Sequence, residues 1–192
     1  MRTEAMDKQI IELAKKQKTL EVAALLAFIE VETGGHGFAV DGKLIIQFEP
    51  TWFKRKAPFA PSGKWTQNGV ERQSAEWLAF NDAFKTNTEA AMESTSIGLG
   101  QIMGFHWKRL GFISVGEMWD DAKKGLSNQV EQILKFICTD NRLFAAIINL
   151  DWHTVASIYN GSKYRELAVK LGREPYDVSM AKAYNKYLIH NT

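Results

Sequence analysis

The run Val22 to Ile29, "VAALLAFI", is apolar on every face of a helix. Such a helix has no side to show to water, so other elements must enclose it. The pattern predicts a central helix over Leu20–Glu32, with Thr19 as its cap and Gly34 suited to its C-terminal end. That helix finishes on two carboxylates, Glu30 and Glu32, followed by Gly34, Gly35 and His36. An anion in that place is disfavoured twice. The helix macrodipole is negative at its C-terminus, and burial opposes ionisation. Both effects raise the pKa of Glu32, as a general acid working near neutral pH requires. For an isolated glutamate the simpler reading is a residue that solvates a helix end.

The stretch after Gly37 reads as strand. Asp41-Gly42, between short β-prone runs, is a strong local hairpin signal, with a second strand closing at Glu49-Pro50. Pro50 stops that strand, and "TWFKRK" starts something helical or turned. A hairpin folded back over the end of the buried helix would bring Glu49 across a cleft from Glu32. Two carboxylates so placed suit glycoside hydrolysis, in which one protonates the leaving oxygen and the other supports the oxocarbenium ion or activates water. Glu49 reads equally well as an acidic residue at the start of a helix.

The rest is mainly helical. Helices are expected over Met6–Gln17, Gln73–Met92, Val130–Cys138, Asn141–Ile148, Thr154–Tyr159 and Asp177–Leu188, and around Phe105–Leu110. Ser114 with Glu117 forms a capping-box pattern for one more. "KAPFAPSGKWTQNG" (56–69) reads as an irregular loop with Trp65 exposed, and "STSIGLGQIMG" (94–104) as a glycine-punctuated loop. Gly98, Gly100 and Gly104 there would let backbone approach a polymer closely. Trp52, Phe53, Trp65 and Tyr159 are candidate sugar-stacking rings, with core packing the simpler reading for Trp52 and Phe53. The set describes an α+β fold, predominantly α-helical, with a small β-hairpin or sheet beside the catalytic helix. At 192 residues it fits one domain over 1–192.

Composition excludes several classes. A formal net charge of +2 is too small for a dedicated nucleic-acid binder. No segment has the roughly 18 apolar residues needed to cross a bilayer, so no stable membrane insertion is expected. The N-terminus reads as an amphipathic helix, not a signal peptide. The single cysteine, Cys138, cannot pair internally and reads as a small buried hydrophobe. His36, His106, His153 and His190 show no metal-ligand spacing, so neither metal nor cofactor is implied.

Four segments then occur in a telling order: "VETGG", the hairpin, "GLGQIMG" (98–104) and "ASIYNG" (156–161). The order resembles the lysozyme superfamily, and "EVETGGHGF…GKLIIQFEPTWF…STSIGLGQIMGF" resembles the N-acetylmuramidase family of phage and prophage endolysins. The resemblance covers roughly residues 15 to 188. It implies a lysozyme-like fold and cleavage of the β-1,4 bond between N-acetylmuramic acid and N-acetylglucosamine in peptidoglycan, for host lysis. Carried over, it makes Glu32 the general acid and Glu49 the second carboxylate. Gln101, Tyr159, Asn160, Gly100, Phe48 and His36 would contact substrate. Ser94, Thr95 and Ser96 depart from the small-aromatic pattern expected before the glycine. The resemblance further implies a monomer without a separate wall-binding domain, made in the host cytoplasm and reaching the periplasmic wall once the membrane is permeabilised. Two other readings stay open on the residues: a lytic transglycosylase, with one glutamate as acid then base, and a non-catalytic peptidoglycan-binding module.

Overall fold

The computed structural model describes residues 4–67, 69 and 72–190; position 68 of the expected loop and the side chain of His190 lie outside the described parts. The chain begins with helices α1 (Glu4–Lys16) and α2 (Val22–Thr33). Strand β1 (Ile46–Phe48) leads into α3 (Pro50–Lys56), a 3-10 turn at Lys64–Gln67 and α4 (Gln73–Thr86). Then come α5 (Thr88–Glu93), β2 (Thr95–Ile97), β3 (Ile102–Met103) and a 3-10 turn at Gly104–His106. Helices α6 (Val115–Lys123), α7 (Leu126–Cys138), α8 (Asn141–Ile148), α9 (Trp152–Tyr159), α10 (Tyr164–Lys170) and α11 (Tyr176–His190) complete the order. Among the described residues no helix is long and apolar enough to cross a membrane. The fold is helix-dominated with one small antiparallel sheet, as the patterning implies. It divides into two compact units, residues 1–35 with 134–192, and residues 36–133.

In the first unit α2 is the buried element. Every residue from Ala23 to Ile29 is buried, and α11 and α1 lie against the helix. Gly34 closes it in a left-handed conformation (φ 59°), its N–H donating to the Glu30 carbonyl. Glycine takes that conformation without the Cβ penalty other residues meet. The start differs from expectation. Glu21, not Thr19, holds the cap position, and it makes no side-chain cap bond. Gln17 organises the turn instead: its carbonyl oxygen accepts from the Thr19 and Leu20 N–H groups at 2.9 Å, while its amide donates to Ala14 and Leu20 carbonyls. Cys138 corrects another expectation. It is exposed at the last position of α7, because Phe136 and Ile137 take the buried positions beside it. Helix α10 was not anticipated, since only Tyr164 and Ala168 are buried in it and its apolar pattern is thin.

The second unit is built on the sheet β1-β2-β3. The Asp41-Gly42 turn forms, with Ala39 N–H donating to the Lys43 carbonyl at 2.7 Å. Pairing there stops at a single Phe38–Leu44 bridge. In the first arm Val40 is fully exposed and Phe38 and Ala39 are only partly buried. The true partner of β1 is β2, in antiparallel register with Ile46 opposite Ile97 and Phe48 opposite Thr95. The expected 94–104 loop is thus a second hairpin, β2–β3, turned through Gly98 (φ 66°) and Gln101 (φ 45°). Its glycines serve the protein's own close packing. A Cβ would stand 2.8 Å from Gln129 Oε1 at Gly98, 2.5 Å from Ile133 Cγ1 at Gly100, and 2.0 Å from the Met92 carbonyl oxygen at Gly104. Buried Gln129 fastens the hairpin turn, accepting from Leu99 N–H at 2.9 Å and donating to the Ala122 carbonyl at 2.9 Å. The single helix expected over 73–92 breaks at Asn87, whose side chain caps α5 through Ala90 N–H. The Ser114–Glu117 box forms: Ser114 Oγ accepts from Glu117 N–H at 3.0 Å, and the Glu117 carboxylate accepts from Ile113 N–H at 2.7 Å.

Strand β1 lacks a strand neighbour on its outer edge. Two side chains of α4 take that place. Gln73 accepts from Ile46 N–H at 2.9 Å and donates to the Ile46 carbonyl at 2.8 Å. Glu76, 1% exposed, accepts from Phe48 N–H at 2.8 Å. Satisfying these groups matters because an orphaned buried backbone N–H costs about 1–3 kcal/mol. Trp65 is buried, not exposed as expected: its indole N–H donates to the Pro61 carbonyl at 3.0 Å and its ring meets Phe53 edge-on at 4.9 Å. The tightest backbone approach gives a stability test. Gly104→Ala drives a methyl into the Met92 carbonyl, so chemical denaturation should show a loss of about 1–3 kcal/mol.

Candidate active site

The two glutamates that end α2 meet opposite surroundings. Glu30 is neutralised: Lys186 Nζ lies 2.8 Å from its carboxylate, and the Tyr187 hydroxyl also donates to it. Glu32 has no cation partner among the described residues. It follows Phe28 by one helical turn, and helical side chains lean back toward the preceding turn. Phe28 is buried and meets Tyr159 edge-on at 4.9 Å. Tyr159 also meets Phe136 at 5.5 Å and lies near-parallel to Tyr176 at 6.3 Å. The Tyr176 hydroxyl, from the first residue of α11, donates to Glu32 Oε1.

The electrostatic consequence is large. The residue keeps part of its surface, but its carboxyl is desolvated, which pushes the pKa up to about 8; the Tyr176 hydrogen bond opposes that rise. Burial, with the Glu32 charge behind it, also raises the phenols of Tyr159 and Tyr176 well above their ordinary value. Both therefore stay protonated alongside the carboxyl. Asn160 is exposed and forms the C-terminal cap of α9, its N–H donating to the Ala156 carbonyl at 2.8 Å.

The other expected residues belong to the second unit. Glu49 sits between β1 and α3, at the cap position of α3, with its N–H donating to the Ser94 carbonyl at 2.9 Å. Gln47 donates to Glu49 Oε1 at 2.9 Å. Burial raises the Glu49 pKa, the charge of Glu76 adds to the rise, and the Gln47 bond opposes it. Gln101, expected as a sugar-binding amide, is occupied at both ends by its own hairpin. It accepts from Ser96 Oγ at 2.9 Å and donates to the Gly98 carbonyl at 2.9 Å. Phe48 is fully buried and packs on Phe53 at 5.8 Å, which leaves no face for a ligand. Gly100 is buried against Ile133, and His36 keeps partial exposure. Trp52, by contrast, is 38% exposed and lies against Phe105 at 4.8 Å. Among the described residues no group of three His, Cys, Asp or Glu is arranged to hold a metal ion.

Sequence reasoning located Glu32 but missed Tyr176, which no local motif announces. It also missed Glu76, whose place in α4 reads as an ordinary surface glutamate until β1 is seen beside it.

A carboxyl that keeps its proton at neutral pH can give it to a leaving oxygen, and on this fold that defines a glycoside hydrolase of the lysozyme type. The comparisons with known proteins make the assignment specific. The family model for N-acetylmuramidase matches residues 21–188, and the chain belongs to that family, whose substrate is peptidoglycan. Among solved structures, the crystal structure of Burkholderia AP3 phage endolysin is similar at 29% identity and a TM-score of 0.76, covering 99% of this chain and 72% of that one. No curated protein matches the chain with significance.

The raised pKa carries a linkage signature. Between the unfolded value near 4.5 and about 8, the folded state binds the Glu32 proton more tightly than the unfolded state does. Stability contributed by that proton is complete at low pH and is lost as pH rises through this window. Glu32→Gln should therefore melt higher than the unaltered protein at pH 8, with the gap closing toward pH 5, as read by thermal melts across pH. Tyr176→Phe removes a bond that favours the ionised form. The Glu32 titration followed by carboxyl NMR should move further up.

Proposed function

We propose that Glu32 and Glu49 divide the cleavage of the N-acetylmuramic acid–N-acetylglucosamine β-1,4 bond between them. The observation that carries the reading is the desolvated carboxyl of Glu32, held by the Tyr176 hydroxyl with no cation partner among the described residues. Glu32 gives its proton to the glycosidic oxygen as the bond to the anomeric carbon breaks and its electron pair passes to that oxygen. Glu49, ionised, stabilises the positive charge at the anomeric carbon or directs the water that adds there, whose proton leaves to a carboxylate. Tyr176 orients the acid through its hydroxyl. Tyr159 and Asn160 contact the sugar from the first unit, and in the second unit His36 is a further contact candidate, while Gln101 and Gly100 fix the β2–β3 hairpin.

The likeness to a phage endolysin supports a role in host lysis. In this reading residues 1–192 form a single lysozyme-like catalytic domain. The enzyme acts as a monomer and waits in the host cytoplasm until the membrane is opened to the wall.

Glu32→Gln should lower turnover of purified peptidoglycan by about 10²–10⁴-fold, the span typical of general acid catalysis, while the protein stays folded. Glu49→Gln should lose activity on the same order, and mass spectrometry should find products that have gained water. Retained activity in Glu49→Gln together with anhydro products would make the enzyme a lytic transglycosylase. The pH dependence follows from the two signs. Glu49 must be ionised and Glu32 protonated, so kcat/KM should be bell-shaped. Its acid limb should lie above the ordinary glutamate range and its alkaline limb near 8.

A further inference from the structure

The helix that Glu49 caps carries a feature the cleavage chemistry leaves unused. Beside α3 lies a cavity of about 500 Å³ lined by Thr51, Lys54, Arg55, Ser62, Trp65 and Thr66. Among the described residues no acidic side chain lines it. Three basic residues run in succession at the end of α3, and they are not equivalent. Lys56 is paired with Glu93 at 2.6 Å. Among the described residues Lys54 meets only the Ala60 carbonyl, at 3.3 Å. Arg55 makes no ion pair among the described residues; its guanidinium lies over the Trp52 ring, 5.1 Å from the centroid. Stacking of that kind fixes a planar guanidinium and leaves its N–H edge free. Trp65 supplies a rigid wall, its indole N–H already committed to the Pro61 carbonyl. Two uncompensated cations, three hydroxyls and a fixed aromatic wall make a receptor for an anion with an apolar body, and a carboxylate fits the guanidinium fork.

The position narrows the source of that carboxylate. Glu49 caps the same helix, and Lys54 and Arg55 follow it by about 7–9 Å along the axis at 1.5 Å per residue. Lys54, Arg55 and Glu49 thus share one short helix, and a muramic acid placed at Glu49 carries a side substituent that, at about 3.3 Å per residue, is long enough to span the distance between them. In peptidoglycan that substituent is a peptide stem with free carboxylates. We infer that the Lys54–Arg55 cavity binds a carboxylate of the peptide stem on the substrate's muramic acid, making the enzyme selective for peptide-bearing strands. The inference rests on the proposed role of Glu49.

Product muropeptides test it without turnover. The disaccharide carrying a tetrapeptide holds no further bond for this enzyme to cut, so its binding to the full chain is measured by calorimetry or NMR whether or not Glu49 acts in catalysis. Loss or retention of turnover in Glu49→Gln tests that catalytic role separately. The unaltered protein should bind the disaccharide-tetrapeptide roughly tenfold more tightly than the peptide-free disaccharide. The preference should fall to near unity by either of two routes: Lys54→Gln with Arg55→Gln, or amidation of the peptide carboxylates with the protein unaltered. Both side chains are exposed, and a thermal melt checks that the variant folds; should it not, Arg55→Gln alone takes its place. No preference in the unaltered protein, or a preference that survives either route, overturns the inference.

Discussion

The enclosure of α2 sets the conditions for the chemistry of the first unit. A helix buried on all sides cannot turn its last residues outward without exposing the apolar run before them. Its two terminal glutamates therefore meet whatever the surrounding helices present. For Glu30 that is a lysine and a tyrosine on α11, which pair with its carboxylate. For Glu32 it is aromatic rings and a single phenol, and the proton is retained. One helix end thus holds an ion-paired carboxylate and a desolvated one, separated by two positions. The difference lies in their partners and not in their own nature.

The second unit holds Glu49, the second carboxylate of the proposed pair, by another route. Strand β1 is three residues long and would be weak alone. It gains definition from β2 on one edge and from Gln73 and Glu76 on the other. That double clamp fixes where β1 ends, and Glu49 follows at once as the cap of α3. Glu76 does more than hold backbone. Its nearby charge makes ionisation of Glu49 harder, so the residue that positions the carboxylate also tunes it.

Much of this was legible in the chain, for identifiable reasons. The buried helix, its left-handed glycine end and the acid at position 32 come from local rules, since periodicity, capping and the macrodipole act within a few residues. The Ser114 box and the boundaries of α8 were legible on the same grounds. Errors arose where distant segments compete. The Asp41-Gly42 turn is present, but β1 pairs with β2 over three residues, while the Phe38–Val40 arm makes a single bridge to Leu44. Trp65 looked solvent-facing because its neighbours in sequence are polar; its neighbours in space are Phe53 and a proline carbonyl. Tyr176 lies far along the chain from the acid it orients, and only the packing of α11 on α2 brings the two together.

Gln129 has a consequence for how such a chain can change over generations. Its amide occupies the space that a side chain at Gly37 or at Gly98 would need, while it bonds the hairpin turn to the end of α6. The three sites therefore form one evolutionary unit. With glutamine at 129, positions 37 and 98 are locked as glycine. A shorter residue at 129 relieves part of the crowding at position 37, where Leu126 Cδ2 still stands 2.8 Å from a Cβ, and gives up the bond to Leu99, while the left-handed φ of 66° keeps position 98 a glycine. Substitutions here should travel as correlated sets, and the order in which they accumulate is constrained by a single amide.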